Sequence, residues 1–300
     1  MPEPLSPVIR TEASDGAMRS AISISGRMDG SRAIIGRSSS ATASRTAAIS
    51  SASGGRGINS LAPARMALAA DCAKERFEEA DFIVCTIDPA TEDLRLFWRD
   101  ESGAPYRHFS AVTDAVSEAG ATLSLAINAG MYDGDYAPIG LYVEGGQEMA
   151  PINTRSVEGP PASVPNFYKK PNGVFFIATD GAGILETGAF IATQPDVTFA
   201  TQSGPLLVQD NALHPALIPG STDRTRRSGV GVCGNGMVRL AISEGRVNFH
   251  DFARLFRDHL GCADALFLDG GRGAVLYHPA LRRNDFSLHG GYGPMLGVVE

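Results

Sequence analysis

Short apolar runs separated by turn residues fill the chain from Phe77 onward and predict β-strands. FIVCTID at 82–88 and LRLFWRD at 94–100 flank the turn PATED, so we expect a hairpin there. Further strands or strand pairs are predicted in ATLSLAI, APIGLYVEGGQEM, KKPNGVFFIATDGAGILE, FATQSGPLLVQDNAL, GVGVCGNGMVRLAISEGRV and ADALFLDGG. The Asn-Gly, Asp-Gly and Gly-Gly pairs within these stretches are typical of hairpin turns.

Two segments have the spacing of amphipathic helices instead. In SAVTDAVSEAG at 110–120, Ser110 occupies the N-cap position and a glycine ends the pattern. In NFHDFARLFRDHLG at 248–261, Asn248 can cap the helix, and its Phe and Leu residues form one apolar stripe. Many hairpins together with two helices predict an α+β fold, with a mixed, largely antiparallel sheet and a few packed helices.

Each predicted helix is followed by an apolar strand that ends in one polar residue. That residue is Asn128 after the first helix and Asp269 after the second. From this shared plan we expect both strands to lie in one sheet and to present Asn128 and Asp269 at the same edge.

The N-terminal part of the chain has a different composition. No Phe, Tyr or Trp precedes Phe77, and residues 1–65 hold eight arginines and four acidic residues among many Ser, Ala and Gly. Such a segment buries too little apolar surface to offset its ordering entropy. We therefore predict a disordered arm over 1–70 and a folded domain over 77–300. A nucleic-acid-binding or targeting arm is less favoured, because no aromatic residues lie between the arginines.

The location of the protein stays open at this point. LAPARMALAADC at 61–72 is similar to the end of a secretory signal that lacks its apolar run. A periplasmic or secreted protein with a wrongly assigned translation start would explain this stretch. A cytoplasmic protein with a long N-terminal tail would explain it equally well.

Charge and cysteine content narrow the possible partners and cofactors. The net charge is −7, and because the first 65 residues contribute +4, the rest of the chain has −11, which argues against a nucleic-acid partner. No apolar run reaches the ~18 residues of a membrane span, so no integral membrane segment is expected. The four cysteines can form two disulfides, with three possible connectivities, or can remain buried free thiols. Neither they nor the six histidines have metal-ligand spacing, and we expect no metal or cofactor.

Three residues stand out as candidates for chemistry. Asp269 in LFLDGG ends a buried strand before two glycines, where the backbone can turn tightly and a ligand can approach, although an Asp there can also simply cap a turn. Asn128 in AINAGMY has the same position and can donate to and accept from sugar hydroxyls, or stabilise a turn. Arg227 in STDRTRRSGVG directly precedes a Gly-rich strand and suits phosphate, the alternative being a solvated basic loop.

Taken together, these motifs resemble a known family. In order along the chain they are NAGMY, PIGLYVEGG, KKPNGVFF, TQSGPLLV, RSGVGV, VNFHDFARLFRDHLGC and ALFLDGG. Over about residues 77–300 they are similar to the bacterial branch of the phosphodiester glycosidase family. One departure is Ser228, because bacterial members commonly read RNGVG where this chain reads RSGVG. A contact made through that Asn amide would be lost or altered.

The resemblance implies an α+β catalytic domain that cleaves the bond between the anomeric carbon of a sugar and a phosphodiester oxygen. The substrate would be a small molecule or glycan that bears a sugar-1-phosphodiester. By motif position, the resemblance assigns Asn128, Arg227 and Asp269 to the active site, together with Lys170 and Asn172 of the KPNG motif.

These residues suggest a division of roles. A departing phosphate monoester has a low pKa, so neutralising the phosphate should matter more than a strong general acid. We therefore expect Arg227, with Lys170 as a possible second cation, to bind the phosphate. Asp269 is the expected nucleophile or general base, and Glu144 is a candidate second carboxylate.

Asn128 and Asn172 would orient sugar hydroxyls. This arrangement requires Arg227 and Asp269 to share a cavity. Two other interpretations stay open. One is a non-catalytic carbohydrate- or cell-wall-binding module, and the other is a phosphodiesterase that acts on another phosphate ester.

Overall fold

A computed structural model describes residues 71–160, 163–287 and 290–300. The predicted arm over 1–70 lies outside the described residues, and the proposed division of the chain stays a prediction. Within the described ranges the chain forms three sheets, in which every strand pairing is antiparallel, and three α-helices. The predicted α+β class is confirmed, with three sheets in place of one. No helix in these ranges has the length and apolar character of a membrane span.

The largest sheet has seven strands. Their order across the sheet is β1 (Asp71–Phe77), β2 (Ala80–Ile87), β13 (Val238–Ser243), β12 (Arg227–Cys233), β14 (Cys262–Gly270), β10 (Leu206–Gln209) and β11 (Ala212–Leu213).

Two five-stranded sheets complete the β-structure of the described ranges. The second sheet has the order β16 (Arg283–Asn284), β15 (Leu276–His278), β4 (Leu123–Asn128), β17 (Met295–Val299) and β3 (Asp93–Phe97). The third has the order β6 (Gln147–Ala150), β5 (Tyr142–Glu144), β9 (Val197–Ser203), β7 (Gly173–Ala178) and β8 (Gly181–Glu186).

The three sheets enclose a common apolar core. Because successive side chains of a strand point to opposite faces, each strand contributes alternate residues to this core. Ile83 and Cys85 of β2 belong to it, together with Leu125 of β4 and Phe175 of β7. The intervening residues, such as Val84 of β2, pack on the outer faces. We define the inner face of a sheet as the side that faces this common core.

Each outer face is covered by one α-helix. Helix α1 (Phe109–Glu118) packs on the second sheet, α2 (Thr187–Thr193) on the third, and α3 (Phe249–Arg254) on the seven-stranded sheet. Helix α3 continues as a π-helical turn, Leu255–His259. The predicted cap of α3 is confirmed, because Asn248 accepts a hydrogen bond of 2.8 Å from the amide of Asp251. The predicted cap of α1 is wrong, because α1 starts at Phe109 and its N-cap residue is His108, two positions before Ser110. Short 3₁₀ turns occur at Asn166–Tyr168, Gly234–Gly236, Gly271–Gly273 and Pro279–Leu281.

Two sequence-based expectations about strand pairing are wrong. Strands β2 and β3 do not form a hairpin, because β2 lies between β1 and β13 while β3 pairs with β17. β1 was not predicted because its sequence, DCAKERF, is mostly polar and lies at a sheet edge. Similarly, β9 and β10 lie in different sheets, and β10 pairs with β11 instead.

The strands that end in Asn128 and Asp269 also belong to different sheets, β4 to the second and β14 to the first. The expectation that one sheet carries both residues is therefore wrong. Their helices α1 and α3 cover separate sheets, and each strand follows its helix into the sheet that this helix covers.

The four cysteines form two disulfides that link neighbouring strands directly. Cys72 on β1 bonds to Cys85 on β2, and Cys233 on β12 bonds to Cys262 on β14. The second bond joins the strand that begins at Arg227 to the strand that carries Asp269, at the end away from these two residues. It therefore helps to fix the register of the strand pair that positions the candidate site.

We expect replacement of Cys233 and Cys262 by alanine to lower the free energy of unfolding by about 2–4 kcal/mol. The same change at Cys72 and Cys85 should cost less, because this bond joins residues 13 apart in the sequence, whereas Cys233 and Cys262 are 29 apart. Urea denaturation of both double variants under oxidising conditions measures the two losses. A smaller loss for the Cys233 and Cys262 variant would contradict this order.

Candidate functional site

Asp269 lies at the end of β14, opposite Ser228 of β12. The register of the two strands shifts between Ser228 and Gly229, so that two residues of β14, Leu268 and Asp269, oppose one residue of β12. Such a bulge turns the side chain away from its regular alternation. Because paired residues share a face, Asp269 lies on the inner face with Ser228, whose partner Ile242 on β13 belongs to the common core.

Hydrogen bonds from three directions hold this strand end in place. The hydroxyl of Ser228 donates to the carbonyl of Asp269 (3.1 Å) and accepts from its amide (3.3 Å). Ser203 of the third sheet donates to the carbonyl of Leu268 at 2.9 Å. The amide of Gly270 donates to Oδ1 of Asp269 at 2.7 Å. Ser228 thus supports the backbone of Asp269.

The Asp269 carboxyl is half-buried, and its surroundings change its acidity. Burial raises its pKa to about 6, which the hydrogen bond from Gly270 opposes only in part. The pKa of Tyr132 is raised to about 12 by burial and, second, by the charge of Asp269. A carboxyl group with a pKa near neutrality and a phenol in its field are typical of a catalytic site.

The segment from Gly271 to Val275 closes over Asp269. A Cβ added to Gly273 would overlap the Asp269 carboxylate, so only glycine leaves room for this side chain. Asn128 holds the far end of the segment, because its Oδ1 accepts from the amide of Val275 at 3.1 Å and its own backbone amide donates to the carbonyl of Val275. Asn128 is buried, and these two bonds tie the end of β4 to Val275.

The segment also forms part of the wall of a cavity of about 470 Å³, which is lined by Arg226, Gly271, Arg272, Asn284, Asp285 and Phe286. Arg226 is bonded to Asp285 at 2.8 Å. The side chain of Arg272 is exposed and has no partner among the described residues. Arg272 is therefore a cation that can bind an anionic ligand three residues from Asp269.

Arg227 lies on the opposite face of the seven-stranded sheet from Asp269. It pairs with Gly270 in the strand register, one position from the Ser228–Asp269 pair, and its guanidinium stacks 3.5 Å from the centre of the Phe249 ring of α3. The expectation that Arg227 and Asp269 share a cavity is therefore wrong. The alternation of side chains along β12 separates them.

Arg227 is also fully buried, with 1% of its surface exposed. Its Nε donates to the carbonyl of Val247 at 2.9 Å and Nη2 to the carbonyl of Asp223 at 3.1 Å. Burial lowers its pKa to about 10, so it stays charged at neutral pH. The phosphate-binding role predicted for it would have to be carried out on the α3 side of the sheet.

The KPNG motif leads into β7, whose first residue, Gly173, pairs with Ser203 of β9. Asn172 is completely buried and donates to the carbonyl of Phe167, while its Oδ1 accepts from Lys170 and Thr187, each at 2.9 Å. These bonds give Asn172 a structural role and leave it little capacity for a sugar hydroxyl. Lys170 is exposed and lines a second cavity, on the α3 side.

Glu144, the candidate second carboxylate, lies at the end of β5 in the third sheet. Its Oε2 accepts from the hydroxyl of Tyr142 at 2.6 Å, and burial raises its pKa. Within the described part of the chain, Glu144 makes no hydrogen bond to Asp269 or to Arg227. Its role as a second carboxylate stays a prediction.

Two residues of this site were not identified from the sequence. Arg272 directly follows the two glycines of LFLDGG, and this position, with its exposed side chain, is the signal in the sequence that points to it. Tyr132 was part of the NAGMY motif, but only the structure shows that its hydroxyl lies in the field of Asp269.

Comparison with known proteins gives consistent results. The sequence profile of the family described as phosphodiester glycosidase matches residues 121–297. The uncharacterized protein YigE of Escherichia coli strain K12 is 35% identical over 185 residues, which cover 62% of this chain and 70% of YigE.

Among solved structures, the chain is similar to the zebrafish N-acetylglucosamine-1-phosphodiester alpha-N-acetylglucosaminidase catalytic domain, auto-inhibited by its pro-peptide. The TM-score is 0.52 at 14% identity, over 76% of this chain and 81% of that domain. At this identity the similarity shows a shared fold.

We expect Asn172→Ala to lower the free energy of unfolding by about 2–4 kcal/mol. The substitution removes the hydrogen bond that Asn172 donates to the carbonyl of Phe167 and the one that it accepts from the hydroxyl of Thr187. Gln147→Ala, at an exposed amide on β6, serves as the control and should be nearly neutral. Urea denaturation measures both. An Asn172 variant as stable as the control would exclude the structural role and favour the sugar-binding role.

Proposed function

The chain belongs to the phosphodiester glycosidase family, and we propose that it hydrolyses the glycosidic bond of a sugar-1-phosphodiester. The observation that carries this proposal is the half-buried Asp269, whose pKa is raised to about 6. It lies three residues from an arginine that has no partner in the part of the chain that the structure describes. The zebrafish enzyme is named for action on a bond of this class, and its fold is shared.

The proposed reaction sets two demands on the site. Positive charge develops at the anomeric carbon as its bond to the phosphate oxygen breaks. The electron pair of that bond departs with the phosphate, which becomes a phosphate monoester. The anomeric carbon of the sugar gains a hydroxyl group from water. This leaving group needs little protonation, so a carboxylate at the sugar and a cation at the phosphate are the main requirements.

Asp269 is the carboxylate in this proposal. As nucleophile or as general base it acts in the ionised form, which predominates above its pKa of about 6. The bulge in β14 and the bonds from Ser228 and Ser203 hold it in one orientation. Gly273 allows the carboxylate to lie against the backbone of the segment that follows.

We assign the phosphate to Arg272, with Arg226 in support. Both line the cavity beside the Gly271–Val275 segment, and the carbonyl of Arg226 accepts from the amide of Gly271 at 2.8 Å. Within the described ranges the guanidinium donors of Arg272 are all available, whereas Arg226 is already paired with Asp285. This assignment replaces Arg227, which lies on the other face of the sheet.

A panel of sugar-1-phosphodiesters tests the reaction against its alternatives. The proposed enzyme releases free sugar and a phosphate monoester. A carbohydrate-binding module releases nothing. A phosphodiesterase leaves the phosphate on the sugar. Product analysis by mass spectrometry therefore separates the three functions in one experiment.

We expect kcat/KM to fall about tenfold per pH unit below pH 6, because the ionised Asp269 is lost and the substrate phosphodiester does not titrate there. Asp269→Asn should lower kcat by about a thousandfold or more at pH 7.5. Asp264→Asn is the control, since Asp264 is a half-buried carboxylate on the same strand with its pKa also raised. Equal activity of wild type and the Asp269 variant would refute the assignment.

The same pKa shift has a consequence for stability. A carboxyl whose pKa is raised on folding destabilises the native state above that pKa, and the penalty disappears as the pH falls toward the unfolded-state value. We therefore expect Asp269→Asn to raise the free energy of unfolding at pH 8, by about 1–3 kcal/mol, and to have little effect at pH 4. Loss of stability at pH 8 would indicate that the variant is disrupted, and its activity could then not be interpreted.

We expect Gly273→Ala to reduce kcat by about tenfold to a hundredfold, because the added methyl displaces the Asp269 carboxylate. Gly245→Ala is the matched control, since a Cβ there meets no atom within 4 Å. Both variants are assayed with the best substrate of the panel, and their folding is checked by circular dichroism. Unchanged activity of a folded Gly273 variant would mean that the position of Asp269 does not matter for turnover.

A further inference from the structure

The α3 side of the seven-stranded sheet carries a second cavity, of about 420 Å³, that the proposed reaction does not use. We call it the outer cavity. Among its lining residues are Tyr168, Lys169, Lys170, Leu217, Ile218 and Phe249. It lies across the sheet from Asp269, since Phe249 belongs to the apolar cluster of the outer face.

Positive charge is in excess around the outer cavity. The ring of Phe249 has the guanidinium of Arg227 3.5 Å from its centre and Nζ of Lys169 at 5.6 Å. With Lys170, three cations therefore lie on or just behind the cavity wall. Asp223 is the one carboxylate among the described lining residues, and its Oδ2 lies 3.6 Å from Nη2 of Arg227. Because 69% of its side chain is exposed, solvent screens this ion pair, and the two lysines stay without a carboxylate partner on the described wall.

The cations have hydrogen-bond donors to spare. Lys169 donates to Oδ1 of Asn166 at 2.7 Å and Lys170 to Oδ1 of Asn172 at 2.9 Å. Each ammonium group has three donors, so two on each lysine are left for a ligand. These two asparagines also hold the lysine side chains in fixed positions, which reduces the entropy that a ligand would have to remove.

Burial makes these charges costly in the absence of an anion. It is the largest cause of the lowered pKa of Lys169 and of the lowered pKa of Arg227, and the charge of Asp223 opposes it in both groups only in part. The charge of Arg227 lowers the pKa of Lys169 further. A bound dianion would offset both effects. The remaining wall is apolar, and Ile218 exposes 66% of its surface there. Such a wall suits the organic part of a ligand better than water.

We propose that the outer cavity binds the phosphoryl group of an organic phosphate monoester, with the ester's organic part against Leu217 and Ile218. A phosphoryl dianion matches the excess of cations and offers several oxygens to donors that lie on different sides. The site is separate from Asp269 and does not depend on hydrolysis there.

Calorimetric titration of the full chain with phenyl phosphate, a hexose 6-phosphate and inorganic phosphate tests the proposal. We expect at least one monoester to bind more tightly than inorganic phosphate, because only the monoesters contact the apolar wall. Lys169→Gln combined with Lys170→Gln should weaken that binding at least about tenfold. The control Lys74→Gln, at an exposed lysine of β1, should leave it unchanged.

Lys170 is hydrogen-bonded to the buried Asn172, so the lysine variant could lose binding through a loss of folding. A second variant, away from this bond, separates the two effects. Ile218→Glu changes only an exposed side chain and should also weaken monoester binding, through charge repulsion and loss of the apolar contact. Three results would overturn the proposal: no binding of any monoester by the wild type, binding unaffected by both variants, or inorganic phosphate bound as tightly as the monoesters. Binding that is lost in Arg272→Gln and retained in the lysine variants would place the phosphate at the Asp269 site instead, and would equally overturn it.

Discussion

The antiparallel register of β12 and β14 is the constraint on which the rest of the site depends. It sets Ser228 opposite Asp269 and Arg227 opposite Gly270. Since neighbouring residues of a strand point to opposite faces, the register sends Arg227 toward α3 and Asp269 toward the common core. The bulge at Leu268 and the disulfide at the other end of the pair both stabilise this one register. The geometry of the sheet therefore places the two charged groups on opposite faces.

The inner face gives Asp269 its chemical character. Three sheets share one apolar core, and the carboxylate lies at the rim of that core, where water is scarce but not absent. The desolvation that raises its pKa is therefore a direct consequence of where β14 ends. The cations of the outer face experience the same effect with the opposite sign, because burial disfavours the charged form of arginine and lysine by lowering the pKa.

The sequence predicts local structure well where a single strand or helix decides it. The hairpins β5–β6, β7–β8 and β12–β13, the strand into Asp269 and the Asn248 cap of α3 all follow from nearby residues. Relations between distant segments could not be predicted this way. Asn128 and Asp269 lie in different sheets, and so do β2 and β3. Both facts depend on how strands that are distant in the sequence pair with one another. For the candidate site, the motifs indicated the strands that end in Asn128 and Asp269, but the face on which Arg227 lies depends on a register that periodicity alone does not fix.

Arg226 and Arg227 are neighbours in the chain, yet they serve opposite sides of one sheet. The first contacts Asp285 beside the second sheet, and the second contacts the Phe249 ring. A one-residue slip in the pairing register of β12 would exchange the faces to which the two side chains point, with no change in sequence. In related sequences, matching columns therefore do not guarantee equivalent arginines. A role is transferred more safely between homologues when the sheet face of each arginine is first inferred from the alternation of residues in β12.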